Sequence, residues 1–362
     1  MGKRTDPSDL RALDAERVCL IKPSALGDVV QTMPLVPVLR ERFPRARLAW
    51  VVNRPFGELL EGLPGLDEVI PLDRRGPVWN WLRLLGDLRR RRFDLVFDLQ
   101  GLLRTAVMAA ATGARLRVGL ESSREGAGLA CHLLLPDSGR LVPAHLRYWR
   151  VAEALGLGDR HRQAEIPIPA ADREWADGQV ATLRGPLLAV HPGARWKTKL
   201  WPVEKFAAVA ARAFRAFGFS TIIVGGSDER LAAARLEHLL RRFVPAAGVL
   251  NLAGRTSLKQ LAAVLAAAGV MLSNDSGPMH LAAAMGTPVV GVFTCTSPTR
   301  SGPPGPRHAL VAAELPCAAS YRKRCPHRGR KHLACMEELS IERVWQAFAR
   351  LVDRRESAAR AA

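Results

Sequence analysis

The segment Asn274–Gly286, with the sequence NDSGPMHLAAAMG, begins with polar residues that directly follow an apolar run. The pattern predicts a strand that delivers Asp275 and a Ser-Gly turn to the start of a helix, which opens near His280. Open α/β sheets bind ligands beyond the carboxyl ends of their strands, so this corner is typical of a ligand site. From the residues alone, Asp275 as a simple cap of the helix is an equally good interpretation.

A second polar loop, SALGD at residues 24–28, follows the short buried-type strand predicted at Arg17–Lys22. Gly27 permits close approach of another backbone, and Asp28 stands at or near the start of a helix. A carboxylate there can act as a general base, or it can accept backbone N–H bonds as a helix cap. Spacing leaves both interpretations open.

Two of the eight lysines, Lys197 and Lys199, lie in a loop at 191–202 that also follows a predicted strand. Lysine is a compact cation suited to phosphate, and the helix that Pro202 introduces adds backbone donors. A solvated basic loop is the alternative. His191, at the end of the strand, is expected to be packed or bonded to the backbone rather than catalytic.

A fourth loop, GGSDE at 225–229, is a glycine-rich turn whose carboxylates could hold ribose hydroxyls. Its Glu229 is explained equally well as an acid at a helix N-terminus. The sequence contains no G-x-x-x-x-G-K-[ST] P-loop, no G-x-G-x-x-G after its first strand and no D-x-D pair. Kinase-like, dinucleotide-binding and metal-bridged pyrophosphate sites therefore lack their usual signatures.

The cysteines near the carboxyl terminus raise the question of a metal site. Cys317, Cys325 and Cys335, with His327 and His332 between them, could supply zinc ligands, but the spacing C-x7-C-x9-C lacks the usual knuckle. Reduced, partly structural thiols are the alternative. Six cysteines in all are too few and too scattered for a disulfide scaffold, which agrees with a reducing compartment.

The elements that must position these loops are strands alternating with helices, which indicates βαβ units and parallel sheets. The alternation runs from residue 17, pauses in a Pro-marked stretch and restarts at Leu187. The sequence therefore predicts two Rossmann-like domains that face a cleft. The predicted boundaries are a disordered tail at 1–16, a first domain at 17–170, a linker at 171–186, a second domain at 187–340 and a helix with a tail at 341–362.

Composition describes an ordinary globular protein with 48% hydrophobic residues and a net charge of +19. Arginine supplies most of that charge, and an acidic substrate, an anionic membrane or a nucleic acid would all suit it. No uninterrupted apolar run approaches the roughly 20 residues that span a bilayer, and the amino terminus has no apolar signal segment. We therefore expect a cytoplasmic protein that could contact a membrane peripherally.

Taken together, four stretches resemble the bacterial lipopolysaccharide heptosyltransferases, which form glycosyltransferase family 9. The stretches are SALGDVV at 24–30, KLWP at 199–202, GGSDE at 225–229 and NDSGPMHLAAAMGTPVVGVF at 274–293. The resemblance implies the GT-B fold, with the acceptor held mainly by the first domain and the nucleotide sugar by the second. It also implies transfer of heptose from ADP-heptose to the inner core of lipopolysaccharide on lipid A–Kdo, with inversion and with neither metal nor cofactor.

The resemblance further assigns roles to residues. Asp28, in a loop with Ser24 and Gly27, matches the general base for the acceptor hydroxyl, and Lys199 matches the lysine that pairs with the diphosphate. The remaining donor-binding positions are Asp275 for sugar hydroxyls, Ser276 and Gly277 for phosphate, His280 in the same motif, Glu229 for ribose and Thr256 for adenine.

This chain also departs from better-known members of that family. Residues 293–301 (FTCTSPTRS) replace a shorter loop, which leaves open another nucleotide sugar and another cell-surface glycan. The basic surface suits a phosphorylated acceptor at the cytoplasmic face of the inner membrane. Nucleic-acid binding is not expected, because only the charge favours it and no basic-aromatic stacking platform is present.

Overall fold

The computed structural model describes residues 7–137, 142–159 and 165–361 of the chain. The chain divides into two compact units, Met1–Pro167 and Ile168–Ala362. Each unit is built on one parallel sheet covered by helices. None of the helices in the described ranges is both long enough and apolar enough to cross a membrane.

The sheet of the first unit has six parallel strands in the order β3-β2-β1-β4-β5-β6. Leu20 of β1 pairs with Trp50 of β2 and with Phe97 of β4, and all three side chains are fully buried. The strands are β1 (Arg17–Ile21), β2 (Arg47–Asn53), β3 (Glu68–Leu72), β4 (Leu95–Asp98), β5 (Leu116–Leu120) and β6 (Leu133–Leu135). The helices are α1 (Pro7–Ala12), α2 (Leu26–Thr32), α3 (Leu35–Arg42), α4 (Arg54–Leu60), α5 (Val78–Arg90), α6 (Leu103–Thr112) and α7 (Ala144–Ala154).

The amino-terminal segment differs from the prediction of a disordered tail at 1–16. Residues 7–12 form α1, whose Leu10 is fully buried, and α1 packs against α7. The prediction is therefore wrong for these residues, because one buried leucine anchors a helix in an otherwise polar stretch. Residues 1–6 lie outside the described part of the chain.

The second unit has a six-stranded parallel sheet in the order β12-β11-β10-β7-β8-β9. The strands are β7 (Leu187–His191), β8 (Ser220–Ile223), β9 (Val249–Asn251), β10 (Val270–Asn274), β11 (Val289–Phe293) and β12 (Ala309–Ala312). The helices are α8 (Ala170–Val180), α9 (Val203–Phe217), α10 (Arg230–Phe243), α11 (Leu258–Ala267), α12 (Gly277–Ala284), α13 (Pro298–Ser301), α14 (Ala334–Glu338) and α15 (Ile341–Ala361).

The segment predicted as a linker, 171–186, belongs to the second unit. Most of it is α8, which packs against α11, and Ala176 of α8 is almost fully buried. The change of unit comes earlier, between Pro167 and Ile168. Prolines mark the boundary correctly, but the polar composition of α8 conceals its one buried face.

The carboxyl-terminal helix α15 packs on α9, β11 and β12 of the second unit. Phe348 of α15 is fully buried, and its ring lies 5.6 Å from that of Phe219 and 5.7 Å from that of Trp345. Burying a side chain of this size stabilises a fold by about 1.5–3 kcal/mol. The segment 341–362 was predicted as a helix with a tail apart from the second domain, and the structure shows that this helix completes the core of the second unit.

The two sheets have the same topology. Numbered from the first strand of each unit, both follow the order 3-2-1-4-5-6, with the chain moving outward in one direction and then in the other. This order is that of the Rossmann fold, and its reversal point lies between the first and fourth strands. The structure thus confirms the prediction of two Rossmann-like α/β domains with parallel sheets.

Candidate functional site

Three of the predicted site residues, Asp28, Lys199 and Asp275, lie at the reversal points of the two sheets. Asp28 follows β1 in the first unit, Lys199 follows β7 in the second unit, and Asp275 follows β10 directly. At a reversal point the loops after two adjacent strands turn to opposite sides of the sheet, which leaves a crevice for a ligand. Each unit therefore presents its candidate residues where this fold binds ligands.

In the first unit, Asp28 occupies the first turn of α2 and is half-buried. One carboxylate oxygen accepts the backbone N–H of Ala25 at 3.0 Å, and the other accepts the Tyr148 hydroxyl at 2.5 Å. Asp28 therefore caps α2, as one of the two interpretations of the sequence holds. The same contacts fix the orientation of a carboxylate that remains partly exposed, so the capping role and a catalytic role are compatible.

Two buried residues lie behind Asp28: Tyr148, which donates to its carboxylate, and Lys22, which lies over the Tyr148 ring. Neither residue was given a role from the sequence. The Lys22 ammonium lies 4.5 Å from the centroid of the Tyr148 ring and donates to the backbone oxygen of Leu99 at 3.0 Å. Burial and the adjacent Asp28 carboxylate raise the pKa of Tyr148 well above its usual value, so the phenol stays protonated and donates. Burial lowers the pKa of Lys22, while the charges of Asp28 and Asp98 oppose that shift.

The loop after β4 joins the loop that carries Asp28. Asp98, almost fully buried, accepts the N–H groups of Gln100 at 3.0 Å and Gly101 at 3.1 Å. The Gln100 side chain then accepts the N–H of Ser24 at 3.3 Å, so Ser24 connects the two loops. Burial raises the pKa of Asp98, although these hydrogen bonds and Lys22 act against the shift. Gly27 is buried within α2.

In the second unit, Lys199 and Asp275 form an ion pair in which Asp275 is buried and Lys199 is partly buried. The Lys199 Nζ lies 2.8 Å from an Asp275 carboxylate oxygen, with side-chain exposures of 17% and 6%. The lysine also lies 4.9 Å from the centroid of the Trp196 ring. The sequence predicted separate ligand contacts for the two residues, and the structure joins them to each other. One cation thus sits beside the amino terminus of α12, whose first N–H groups have no partner within the helix.

Asn274 holds the loop that carries Lys199. Its amide nitrogen donates to the backbone oxygen of Pro192 at 2.7 Å, and its amide oxygen accepts the N–H of Trp201 at 3.0 Å. These two bonds tie both ends of the loop between β7 and α9 to the end of β10. Asn274 is part of the motif that the sequence reveals, but no role could be predicted for it from the sequence.

His191 links two candidate ligand residues. Its ring nitrogens lie 2.9 Å from a carboxylate oxygen of Glu229 and 3.0 Å from the hydroxyl of Ser276, which in turn lies 3.0 Å from the Ser273 hydroxyl. The prediction that His191 is packed is correct, since its side chain is 3% exposed, but its partners are side chains rather than the backbone. His191 therefore couples the loop after β8 to the start of α12.

The carboxylate of Glu229 is held ionised by this arrangement. Burial alone would raise the pKa of Glu229, but the hydrogen bond and charge of His191 and the N–H of Gly226 hold it below its usual value. Gly193 makes room for the carboxylate, because a Cβ at that position would lie within bonding distance of a Glu229 oxygen. Any side chain at Gly193 would displace Glu229.

The other predicted donor residues surround this group. Thr256, half-buried, lies in the loop after β9, and Gly254 of that loop donates to the Gly225 oxygen at 2.8 Å. Gly277 begins α12. His280 is buried one turn later in the same helix. Its neighbour His308 has its pKa lowered to about 4 by burial and by the charges of Arg307 and His280.

The zinc site considered for the tail is not formed. In the described ranges 7–137, 142–159 and 165–361, no group of three or more His, Cys, Asp or Glu side chains could hold a metal ion. Cys317, Cys325 and Cys335 are free thiols, and burial together with the neighbouring thiols raises the pKa of Cys335 to about 11. The thiols of Cys317 and Cys325 thus lie near that of Cys335, but these side chains and His327 are not arranged as a set of metal ligands.

Comparison with known proteins places this geometry in a family. Residues 81–331, which extend over both units, match the model of glycosyltransferase family 9 (heptosyltransferase). The chain is 30% identical to lipopolysaccharide heptosyltransferase 1 of Pseudomonas aeruginosa over 339 residues, which cover 86% of this chain and 88% of that protein. It is 28% identical to the lipopolysaccharide core heptosyltransferase OpsX of Haemophilus influenzae over 291 residues, which cover 79% and 81%.

The fold agrees with this placement. The solved structure of E. coli ADP-heptose LPS heptosyltransferase II superposes with a TM-score of 0.74, covering 94% of this chain and 99% of that one at 20% identity. The two Rossmann-like sheets described above are therefore those of the GT-B fold. With the match to the family model over more than half of its length, the chain belongs to glycosyltransferase family 9, and it is a glycosyltransferase.

Proposed function

We propose that this enzyme transfers heptose from ADP-heptose to a Kdo or heptose acceptor on lipid A, in the inner core of lipopolysaccharide, at the cytoplasmic face of the inner membrane. The observation that carries the proposal is the Lys199–Asp275 pair beside the start of α12, in a member of a heptosyltransferase family. The similar proteins support the finer parts of the proposal, since two of them are lipopolysaccharide heptosyltransferases and a third is an ADP-heptose LPS heptosyltransferase.

The second unit would bind the donor. Lys199 and the first N–H groups of α12, near Ser276 and Gly277, offer positive charge to a diphosphate. Asp275, adjacent to that charge, would accept the hydroxyls of the sugar, and His280 lies one turn further along the same helix. Glu229, ionised and oriented by His191, would accept the ribose hydroxyls, and the backbone around Thr256 would contact the adenine. Lys199 and the helix amides together replace the metal ion that many diphosphate sites use.

The first unit would bind the acceptor and remove its proton. Asp28 has one face fixed by Ala25 and Tyr148 and remains partly exposed, as a general base must. In the proposed reaction, the acceptor oxygen loses its proton to Asp28 and attacks the anomeric carbon of the heptose. The bond from that carbon to the ADP oxygen breaks, with inversion, and the ADP leaves against the charge of Lys199.

The test is transfer of heptose from ADP-heptose to a Kdo–lipid A acceptor, followed by mass spectrometry. The Asp28→Asn variant should lose about 10²–10⁴-fold in kcat, the range general bases supply. Asp94→Asn is the matched control, because Asp94 is a carboxylate of the same unit that accepts two backbone N–H groups, of Glu16 and Arg17, at the opposite edge of the sheet. Full activity of Asp28→Asn would overturn the assignment of the base.

The finer parts of the proposal have separate readouts. The anomeric configuration of the product, read by NMR, should be opposite to that of the donor. Activity should survive dialysis against EDTA, and activity that only a divalent cation restores would contradict metal independence. Calorimetry should show preference for ADP over UDP and GDP; a preference for UDP would indicate a different nucleotide sugar and another glycan.

A further inference from the structure

Large apolar side chains are exposed in one part of the first unit. In the described part of the chain, six of the ten exposed large hydrophobic residues lie on α5, on α6 and on the short 3-10 helix at 127–130. Trp79 is 64% exposed and Leu129 is 93% exposed. We name these six residues the apolar patch: Val78, Trp79, Leu82, Leu103, Val107 and Leu129.

The core of the unit does not use these side chains. Helix α5 buries Leu84 and Leu88, and α6 buries Met108 and Ala109, in the same cluster beside the sheet. Because successive helical residues are turned by about 100°, the patch residues of α6 lie opposite its buried face. The patch residues of α5 likewise lie on a different side of that helix from its buried Leu84 and Leu88. The packing of this unit therefore does not require these side chains, and contact with water makes their exposure unfavourable.

The three elements that carry the patch are contiguous. Helix α5 packs against α6, and α6 packs against the 3-10 helix. The Arg104 guanidinium lies 5.8 Å from the centroid of the Trp81 ring, which joins the first turns of α5 and α6. The N–H of Leu103 donates to a Glu125 carboxylate oxygen at 3.1 Å, which joins α6 to the segment before the 3-10 helix.

Positive charge surrounds the patch. Arg74, Arg75, Arg83, Arg104 and Arg124 are exposed on the same elements or in the loops beside them. Of the carboxylates nearby, Asp73 accepts the N–H groups of Arg75 and Gly76, Glu125 accepts that of Leu103, and Asp87 pairs with Arg90. Tryptophan, leucine and arginine in this mixture are characteristic of surfaces that lie in the headgroup region of a bilayer.

We propose that the apolar patch binds the surface of an anionic phospholipid bilayer, with Trp79, Leu82 and Leu103 entering the headgroup region and the arginines pairing with lipid phosphates. A second copy of the chain fits less well, because a two-fold contact would bring the same arginines face to face. Protruding side chains separated by charges also suit a fluid surface better than a shaped protein pocket. The use of this surface to reach a lipid-anchored acceptor rests on the proposed function, whereas the binding itself does not.

The experiment is co-sedimentation of the full chain with vesicles of phosphatidylcholine alone or with 30% phosphatidylglycerol. Wild type should bind the anionic vesicles, with binding that falls as salt rises. The variant Trp79→Ser/Leu82→Gln/Leu103→Gln should lower the ratio of bound to free protein by about tenfold or more, because it removes three apolar anchors. Leu231→Gln/Phe243→Gln is the matched control, since these residues of the second unit are 88% and 40% exposed; it should bind as wild type does.

Charge supplies a second, independent variant. Arg74→Gln/Arg83→Gln should weaken binding to anionic vesicles and flatten its salt dependence, while leaving any weak binding to phosphatidylcholine unchanged. Melting temperatures of all variants should match wild type, because every substituted side chain is exposed. Wild type that does not bind anionic vesicles at low salt would overturn the proposal, as would a patch variant that binds normally or a control that fails equally.

Two further measurements distinguish membrane binding from dimer formation and from the proposed heptose transfer. If the patch instead joins two copies of the chain, light scattering will show a dimer that the patch variant breaks, and the proposal is overturned. If heptose transfer is the function, the patch variant should act normally on a deacylated, water-soluble acceptor and poorly on one embedded in vesicles. If transfer fails altogether while vesicle binding obeys the pattern above, the proposed function falls and the membrane surface stands.

Discussion

The two units have the same strand order and place different chemical groups at the reversal point of the sheet. In the first unit, this point holds a carboxylate, Asp28, bonded to a buried phenol and backed by a buried lysine. In the second, it holds the Lys199–Asp275 pair and the start of α12. The topology determines where a ligand binds, and a few side chains after the strands determine whether the site suits a proton or an anion.

Substitution of Lys199 should break this comparison most sharply. In the proposed function, Lys199→Ala removes the charge that the leaving diphosphate needs, and kcat/KM should fall about 10²–10³-fold. Asp275 would also be left buried without its cation. Affinity for ADP, measured by calorimetry, should fall in Lys199→Ala and remain as in wild type in Asp28→Asn.

Lys205→Ala is the matched control for that experiment. Lys205 is another lysine of the second unit, and it donates to the backbone oxygens of Met336 at 2.7 Å and Leu339 at 3.2 Å. Its loss should lower the melting temperature and leave ADP affinity unchanged. Equal loss of ADP affinity in Asp28→Asn and Lys199→Ala would show that the two units do not divide the labour in this way.

Substitution of Tyr148 should sharpen the comparison on the side of the first unit. Tyr148→Phe removes the hydroxyl that donates to Asp28, so the carboxylate will hold its proton to higher pH. A hydrogen bond to a charged group is worth about 1.5 kcal/mol, which corresponds to about one pH unit, so the acidic limb of the kcat profile should move up by roughly that amount. At neutral pH the loss of kcat should be about tenfold or less, with the KM for the donor unchanged.

The control for Tyr148→Phe lies on the next residue of α7. Trp149→Phe deletes a hydrogen bond of similar length, from the indole to the Gly158 oxygen at 2.8 Å. It should alter stability without moving the pH profile. A profile that shifts equally in both variants would mean that Tyr148 acts only through the packing of α7.

The smallest expected effect concerns Glu229 and stability. The pKa of Glu229 is lowered from 4.5 in the folded protein, so its ionised form stabilises the fold fully above pH 4.5 and this stabilisation is lost as pH falls through the folded pKa. Glu229→Gln should therefore melt about 2–4 °C below wild type at pH 7, and the difference should shrink toward pH 3. A difference that stays constant with pH would contradict the ionised state of Glu229.

The sequence was sufficient for the parts of the molecule that follow from local patterns. Apolar runs located the central strands, and the polar residues after them located Asp28, Lys199 and Asp275, because the carboxyl ends of parallel strands share one edge. The outermost strands β6 and β12 were not predicted, since three or four residues at the edge of a sheet carry too weak a pattern.

Contacts between distant segments could not be predicted from one sequence. Tyr148 lies 120 residues from Asp28, and the bond exists only because α7 packs on α2. Lys199 and Asp275 were each predicted to meet a ligand, and their pairing across 76 residues depends on the order of β7 and β10 in the sheet. The role of His191 likewise depends on β7 lying between β8 and β10.

The two hydrogen bonds of Asn274 have a consequence for the thermodynamics of ligand binding. By holding both ends of the loop between β7 and α9, they restrict the backbone that carries Lys199 before any ligand arrives. Fixing a backbone residue costs about 1–2 kcal/mol in entropy, and here that cost falls on folding rather than on association. The folded state is therefore slightly less stable than it would be with a mobile loop, and a ligand that binds Lys199 loses less free energy in ordering that loop.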